Sequence, residues 1–340
     1  MDDERIRLQA VGPAMPGYLE LLHGCYSSLL RAFHECEDCG LEKSARVLQD
    51  NVYVNRHDVL LLAAGTLGWT LLRRLLTSRL FQPLSHWCDL QPKDAAKMPE
   101  SAWKLLFYTT SWLYTVYLLF FTKYSFFQEP ASAFYGWKRG MEVPMDIAIL
   151  YLIQGSFYAH SIYATLYMDA WRKDSLVMLL HHVITLTLIV FSYVFRYHNI
   201  GILVIFLHDV NDIQLEFTKL NVYFKNRGGT YHALNNFVSN VGCVSFMHSF
   251  FFRMYKMVLY TTCISSLQSV PNIPFYFFFN ILLSALTLMN LYWFLVIHCA
   301  VCDQSLTGQM KEVNDLREYD VEYQERKSLH KKGGDSWKEG

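Results

Sequence analysis

Residues 171–224 read WRKDSLVMLLHHVITLTLIVFSYVFRYHNIGILVIFLHDVNDIQLEFTKLNVYF, two long apolar runs with titratable groups at their centres. The first run, 176–196, holds the adjacent pair His181 and His182; the second, 200–222, holds His208, Asp209, Asp212, Glu216 and Lys219. Each run has about the 20 residues that cross roughly 30 Å of hydrocarbon. A charge at mid-bilayer costs roughly 2.5 to 3.5 kcal/mol, so three lipid-exposed carboxylates would cost about 8 to 10 kcal/mol. These groups are therefore predicted to face the interior of a helix bundle. On the second run, His208 and Asp212 are four residues apart and Asp209 and Asp212 three. Glu216 and Lys219 continue the same broad face and read as an ion pair.

Working outward, five further apolar stretches lie near 57–76, 102–122, 146–168, 235–261 and 275–299. The expectation is an all-α polytopic membrane protein, with about seven transmembrane helices forming a bundle around a polar cavity. Whole-chain composition agrees. Of 340 residues, 52% are hydrophobic, 16% aromatic and only 18% charged, too apolar for an ordinary water-soluble domain. Lys+Arg and Asp+Glu balance at 30 each, which removes the basic field expected of a nucleic-acid binder. Eight cysteines in a chain this long form no disulfide framework, although Cys36 and Cys39 could pair locally. The acidic N-terminus lacks the apolar core of a cleavable signal peptide.

Basic residues set the orientation. Loops after the first, third and fifth spans carry Arg73, Arg74, Arg79, Lys93, Lys97, Arg172, Lys173, Lys225 and Arg227, against Lys123, Lys138, Arg139 and Arg196 in the alternate loops. The chain is thus divided into a lumenal segment (1–56), a first span with its cytosolic loop (57–96), a core (97–300) and a charged cytosolic tail (301–340).

Adjacent helical residues point about 100° apart, so only one of His181 and His182 can face a given cavity squarely. Asp174, Thr185 and Ser192 share the His181 face, which selects His181 as the reacting centre and His182 for an orienting hydrogen bond. Gln154, Tyr158, Ser161 and Thr165, at i, i+4, i+7 and i+11, form a polar stripe suited to the same cavity, with Tyr158 and Ser161 as substrate contacts. His160, His248 and His298 read as packing residues. Trp103, Trp137, Trp171 and Trp293 read as interfacial anchors, and FYFFF at 275–279 as lipid-facing surface.

A His/Asp cluster could ligate zinc or iron. Membrane di-iron enzymes resemble one another in having several histidine boxes, however, and three histidines here are too few. No metal and no cofactor is expected. The remaining chemistry is general acid–base or nucleophilic work at a buried imidazole. Arg172 and Lys173 at the cytosolic mouth suit a phosphate-bearing carrier such as coenzyme A.

The 171–224 stretch strongly resembles the longevity-assurance motif of ceramide synthases, members of the TLC superfamily. The His-His pair and the His-Asp-x-x-Asp run are both intact, and the likeness extends from KMPESAWK at 97 to LTGQ at 306 and DLREYD at 315. It implies a multi-pass endoplasmic-reticulum enzyme that transfers a fatty acyl group from acyl-CoA, a substrate, to sphinganine or sphingosine. His181, His182, His208, Asp209 and Asp212 are the matching active-site positions. Most vertebrate members carry a homeobox-like domain between the first two spans. Only about 25 residues separate them here, which resembles the members that prefer stearoyl-CoA. Homo- or hetero-dimers with other ceramide synthases remain open, and so does a non-catalytic, lipid-sensing or lipid-transferring member of the superfamily.

Overall fold

The computed structural model describes residues 17–34, 40–169, 171, 175–226, 257–270 and 273–307, which fold as an all-α bundle. Helices α1 (Tyr18–His34) and α2 (Leu41–Asn51) precede α3 (Arg56–Leu76). The Asn55 side chain accepts from the His57 N–H and so satisfies an otherwise unpaired donor at the start of α3. A π-helical turn (Thr77–Phe81) carries α3 into the short α4 (Gln82–Trp87). The long helices α5 (Pro92–Phe121), α6 (Met145–Tyr167), α7 (Ser175–Val194) and α8 (His198–Asn226) follow. Beyond them come a second π-helical turn (Thr261–Ser265), a single turn α9 (Ser266–Ser269) and α10 (Tyr276–Thr307).

Helix α6 packs against α3, α5 and α7; α5 runs along α8, and α10 lies on α7. The α3–α6 contact rests on small and polar residues, as in lipid, where greasy faces gain nothing from leaving water. A Cβ at Gly65 would come within 2.8 Å of the Ser156 Cβ, so glycine is what permits the approach. Trp69 Nε1 donates to Ser156 Oγ at 2.9 Å, and Thr66 Oγ1 donates to the Ser156 carbonyl at 3.3 Å.

Among the described residues, Arg56–Trp87, Ser175–Val194 and Tyr276–Trp293 are long and apolar enough to cross a membrane. The outer face of the first is bare, with Leu60, Leu67 and Leu71 each about two-thirds exposed. The other expected stretches at 102–122, 146–168 and 200–222 are helical within α5, α6 and α8. The stretch at 235–261 lies outside the described residues as far as 256, as do Cys36, Cys39, His248 and the tail from 308.

Several aromatic expectations are corrected. Trp103 is buried against Trp69, Phe157 and His160, and Trp293 is buried with its ring edge-to-face against His181 at 5.0 Å. Trp137, half-buried, donates to the Phe195 carbonyl at 3.3 Å, whereas Trp171 is exposed. In the FYFFF run, Tyr276 is buried and Phe275, Phe277 and Phe279 pack on the core. Continuous apolar runs give no phase, so sequence alone could not distinguish their lipid and protein faces.

Candidate active site

The turn between α7 and α8 brings the two histidine-bearing helices together. Arg196, with φ 63°, occupies the left-handed position that ends α7. The Tyr197 N–H reaches the Ser192 carbonyl at 2.7 Å and the Arg196 N–H the Tyr193 carbonyl at 3.2 Å, a Schellman closure. With a three-residue connection, the helices must run antiparallel. His181 lies about 20 Å below the end of α7 and His208 about 15 Å below the start of α8, so both reach a similar depth.

His181 Nε2 and His208 Nε2 are 3.1 Å apart, with their rings stacked at 4.8 Å. The other His208 nitrogen, Nδ1, is 3.2 Å from Asp212 Oδ2 and 3.1 Å from the Tyr158 hydroxyl; that hydroxyl also reaches Asp212 Oδ2 at 3.3 Å. All four side chains are buried, as the one-face spacing on α8 requires. Among the described residues, His181 Nδ1 has no hydrogen-bond partner.

The hydrogen-bond pattern assigns the tautomers. A charged Asp212 can only accept, so His208 carries its proton on Nδ1 and presents a lone pair at Nε2. His181 then donates from Nε2, which leaves the lone pair on its unpartnered Nδ1. Such an array delivers a nucleophile or base at His181 and a proton acceptor behind it.

The remaining predicted positions fall around this chain. His182 Nδ1 is 3.2 Å from the Thr165 hydroxyl, and its ring is 5.9 Å from Tyr158. Asp209 accepts from Gln154 Nε2 at 2.7 Å, and the same amide reaches Ser111 Oγ at 2.6 Å. Tyr158 joins the histidine chain, while Ser161 turns its hydroxyl back to the Phe157 carbonyl at 2.9 Å. Arg172 and Lys173 lie outside the described residues.

Sequence reasoning missed Tyr108, Ser111 and Lys104 on α5. The signal was present: Lys104, Tyr108, Ser111 and Thr115 repeat the i, i+4, i+7, i+11 spacing of the α6 stripe, and all four are buried. Lys104 Nζ bonds Glu100 at 2.7 Å and Asp169 at 3.1 Å, and Arg73 also pairs with Asp169. Arg73, counted above as a free cytosolic charge, is thus a buried ion-pair partner. Burial alone would raise the Asp169 pKa, but Lys104 and Arg73 outweigh it and hold the carboxyl well below its ordinary range.

His181, His208 and Asp212 also offer atoms close enough together to hold a metal ion. Asp212, however, approaches His208 on Nδ1, away from the Nε2 that faces His181. That is the placement of a group that orients a histidine, and the imidazole pair accounts for itself by hydrogen bonding.

An apolar route leaves the site. His208, Leu207, Leu286 and Thr287 line a small space that adjoins an apolar groove at Val204 and Leu283. Away from His208 the groove is lined by Thr262, Ser266, Ile273 and Pro274, with Tyr276 and Asn280 beside them. From Thr287 to Tyr276 this route spans roughly 16 Å along α10.

Residues 97–299 match the TLC domain family model, well over half the chain. The chain belongs to the TLC-domain family. Within it, the chain is 59% identical to human ceramide synthase 1 over 326 residues, covering 92% of this chain and 93% of that one. The mouse ceramide synthase 1 is 58% identical over 93% of this chain and 91% of its own length. The Arabidopsis thaliana ceramide synthase LOH2 is 26% identical over 74% and 87%. The chain is therefore a ceramide synthase family member, and the two-histidine and His-Asp-x-x-Asp segments fall inside the matched domain.

Proposed function

We propose that this TLC protein is an acyl-CoA-dependent sphingoid-base N-acyltransferase, a ceramide synthase, acting on sphinganine or sphingosine. The observation that carries the reading is the buried Asp212–His208–His181 chain, whose last nitrogen, His181 Nδ1, has no hydrogen-bond partner among the described residues and whose His208 lines the space adjoining an apolar groove. A lipid sensor has no need for a bare nucleophile joined to a proton relay.

In the proposed reaction, His181 Nδ1 attacks the thioester carbonyl carbon. The C–S bond breaks as the N–C bond forms, and the Nε2 proton of His181 passes to His208 Nε2. Asp212 stabilises the resulting imidazolium, which returns the proton to the departing CoA thiolate. The neutral sphingoid amine then attacks the acyl-imidazole; its proton restores His181, and the products are the amide and CoA thiol. The alternative route uses the same Nδ1 as a base on the amine with no covalent stage. Intact mass after incubation with acyl-CoA alone separates them: an acyl adduct that is absent in His181→Ala supports the covalent route. CoA release that strictly requires sphinganine supports the direct one, and full activity of His181→Ala refutes both.

The finer topology belongs to the same proposal. The chain crosses the endoplasmic-reticulum membrane about seven times, the first span preceding a catalytic unit at residues 97–300, a reading supported by the helical stretches described above. The site needs no metal or cofactor, and the tail is cytosolic, in keeping with the distribution of basic loops. Acyl-CoA approaches from that side with its phosphates near Arg172 and Lys173. The acyl chain follows the groove toward the 261–274 loop, and the preferred donor is a long chain, stearoyl. Cysteine-accessibility labelling that found the tail lumenal would overturn the orientation.

A further inference from the structure

Helix α1 is amphipathic and leaves most of its apolar residues exposed, yet part of it makes close contact with the rest of the chain. There it meets the π-helical turn Thr261–Ser265. A Cβ on Gly24 would come within 3.0 Å of Ile264 Cδ1, so the backbones approach as nearly as glycine allows. Beside it, the half-buried Cys25 has its Sγ 4.0 Å from the Leu259 carbonyl, and the buried Cys263, next to Ile264 in the turn, is its neighbour across this contact. The two residues are 238 positions apart in sequence and come from different helical units, so no local geometry forces them together.

Cys263 also sits directly behind the lining of the acyl groove. Its neighbour Thr262 lines the groove, its carbonyl accepts from the Tyr276 hydroxyl at 2.7 Å, and its thiol lies 3.2 Å from Asn280 Oδ1. Whatever holds Cys263 therefore holds the groove floor.

We propose that Cys25 and Cys263 are a disulfide site that staples the N-terminal helix to the turn beside the acyl groove. The inference rests on the orientation proposed above, which puts both residues on the lumenal side, where disulfides persist. Each thiol gives up its proton, the Sγ–Sγ bond forms, and the two electrons pass to a disulfide donor such as oxidised glutathione, released as two thiols. Closing the bond requires the sulfurs to approach to about 2.05 Å across the contact between α1 and the turn. Once formed, the bond fixes the floor against α1, so it stabilises the fold and sharpens discrimination by acyl-chain length. It leaves the imidazole chemistry of His181 intact.

The test uses full-length protein in microsomes, alkylated with N-ethylmaleimide before lysis and digested without reductant, then examined by tandem mass spectrometry. A peptide linking Cys25 to Cys263, lost on reduction and absent in Cys25→Ser, is expected. Recovery of both cysteines as maleimide adducts, or linkage of either to another cysteine, overturns the site. An N-terminal glycosylation tag read in parallel separates the two inferences: a glycosylated tag with both thiols free refutes only the disulfide, whereas an unglycosylated tag refutes the orientation. In Cys25→Ser, the unfolding temperature in detergent should fall by several degrees. The ratio of long- to medium-chain products should change at least twofold, with the acyl adduct on His181 still formed. An unchanged temperature and product ratio would overturn the staple's role.

Discussion

Replacing Asp212 by Asn tests the proton relay at its far end. The amide keeps the shape of the carboxylate and can still meet His208 Nδ1, which lies 3.2 Å from Asp212 Oδ2. It carries no charge, however, and offers a donor where only an acceptor stood. If the Asn N–H points at His208, the ring must reverse its tautomer, placing the proton on Nε2 opposite His181 Nε2, 3.1 Å away. His181 then holds its own proton on Nδ1, and the free lone pair is gone. Even with the favourable tautomer, the imidazolium formed on acyl transfer loses a charge-assisted partner in a buried site. A displaced tautomer plus a lost counter-charge is worth about 10³ to 10⁴ in rate, or about 4 to 5.5 kcal/mol. The assay is N-acyl product formation by purified enzyme from sphinganine and stearoyl-CoA, paired with the acyl adduct after acyl-CoA alone. Rate and adduct formation should fall together, with little change in unfolding temperature because the packing volume is kept. A loss below tenfold with normal adduct formation would refute the relay.

Tyr158→Phe removes one of the two groups on His208 Nδ1 but leaves Asp212, so steady-state turnover should fall about 10-fold to 100-fold; an unchanged rate would remove Tyr158 from the site. Val204→Phe places a ring where the space beside His208 meets the acyl groove. A block at that junction excludes from the groove the part of the chain beyond it, so at about 0.8 kcal/mol per buried methylene long donors lose more than short ones, and an unaltered product profile in an active variant would sink the route. Asp169→Asn uncouples buried Arg73 and Lys104 and should destabilise the fold by about 3 to 5 kcal/mol in detergent unfolding. The Asp169 carboxyl is depressed, so its contribution is fully present above the ordinary carboxylate pKa of about 4. It is lost as pH falls below that, and the gap between wild type and Asp169→Asn should narrow on acidification.

The chemistry was legible in the sequence because lipid makes polarity expensive. In the α7 and α8 runs, His181, His208 and Asp212 stand out against apolar neighbours, and helical periodicity alone puts His208 and Asp212 on one face. The α6 stripe was legible for the same reason, though a period names a face and not a partner. It could not tell that Tyr158 would reach His208 while Ser161, on the same stripe, would bond its own helix. Trp293 was unreadable, since nothing in FYFFFNILLSALTLMNLYWFLVIH marks which side of α10 meets His181. The buried pairing of Arg73 with Asp169 was hidden differently, because the partners are 96 residues apart and a basic residue at a helix end looks the same whether it faces water or a distant carboxylate.

That last case bears on how the site is held. The i, i+4, i+7, i+11 pattern occurs twice, as Lys104, Tyr108, Ser111 and Thr115 on α5 and as Gln154, Tyr158, Ser161 and Thr165 on α6. The two stripes meet where Gln154 bridges Ser111 and Asp209. Helix α5 in turn runs along α8, which carries His208 and Asp212. Between helices in lipid, apolar contact supplies no hydrophobic drive, so fixed register must come from close packing and from polar groups with few alternative partners. Gln154 has that property: its amide cannot slide one turn along α6 without leaving Asp209 buried and unpaired. The polar stripes therefore fix the depth of α8 relative to α5 and α6. That depth, together with the Schellman turn at Arg196, places His208 opposite His181 closely enough for one proton to be shared between them.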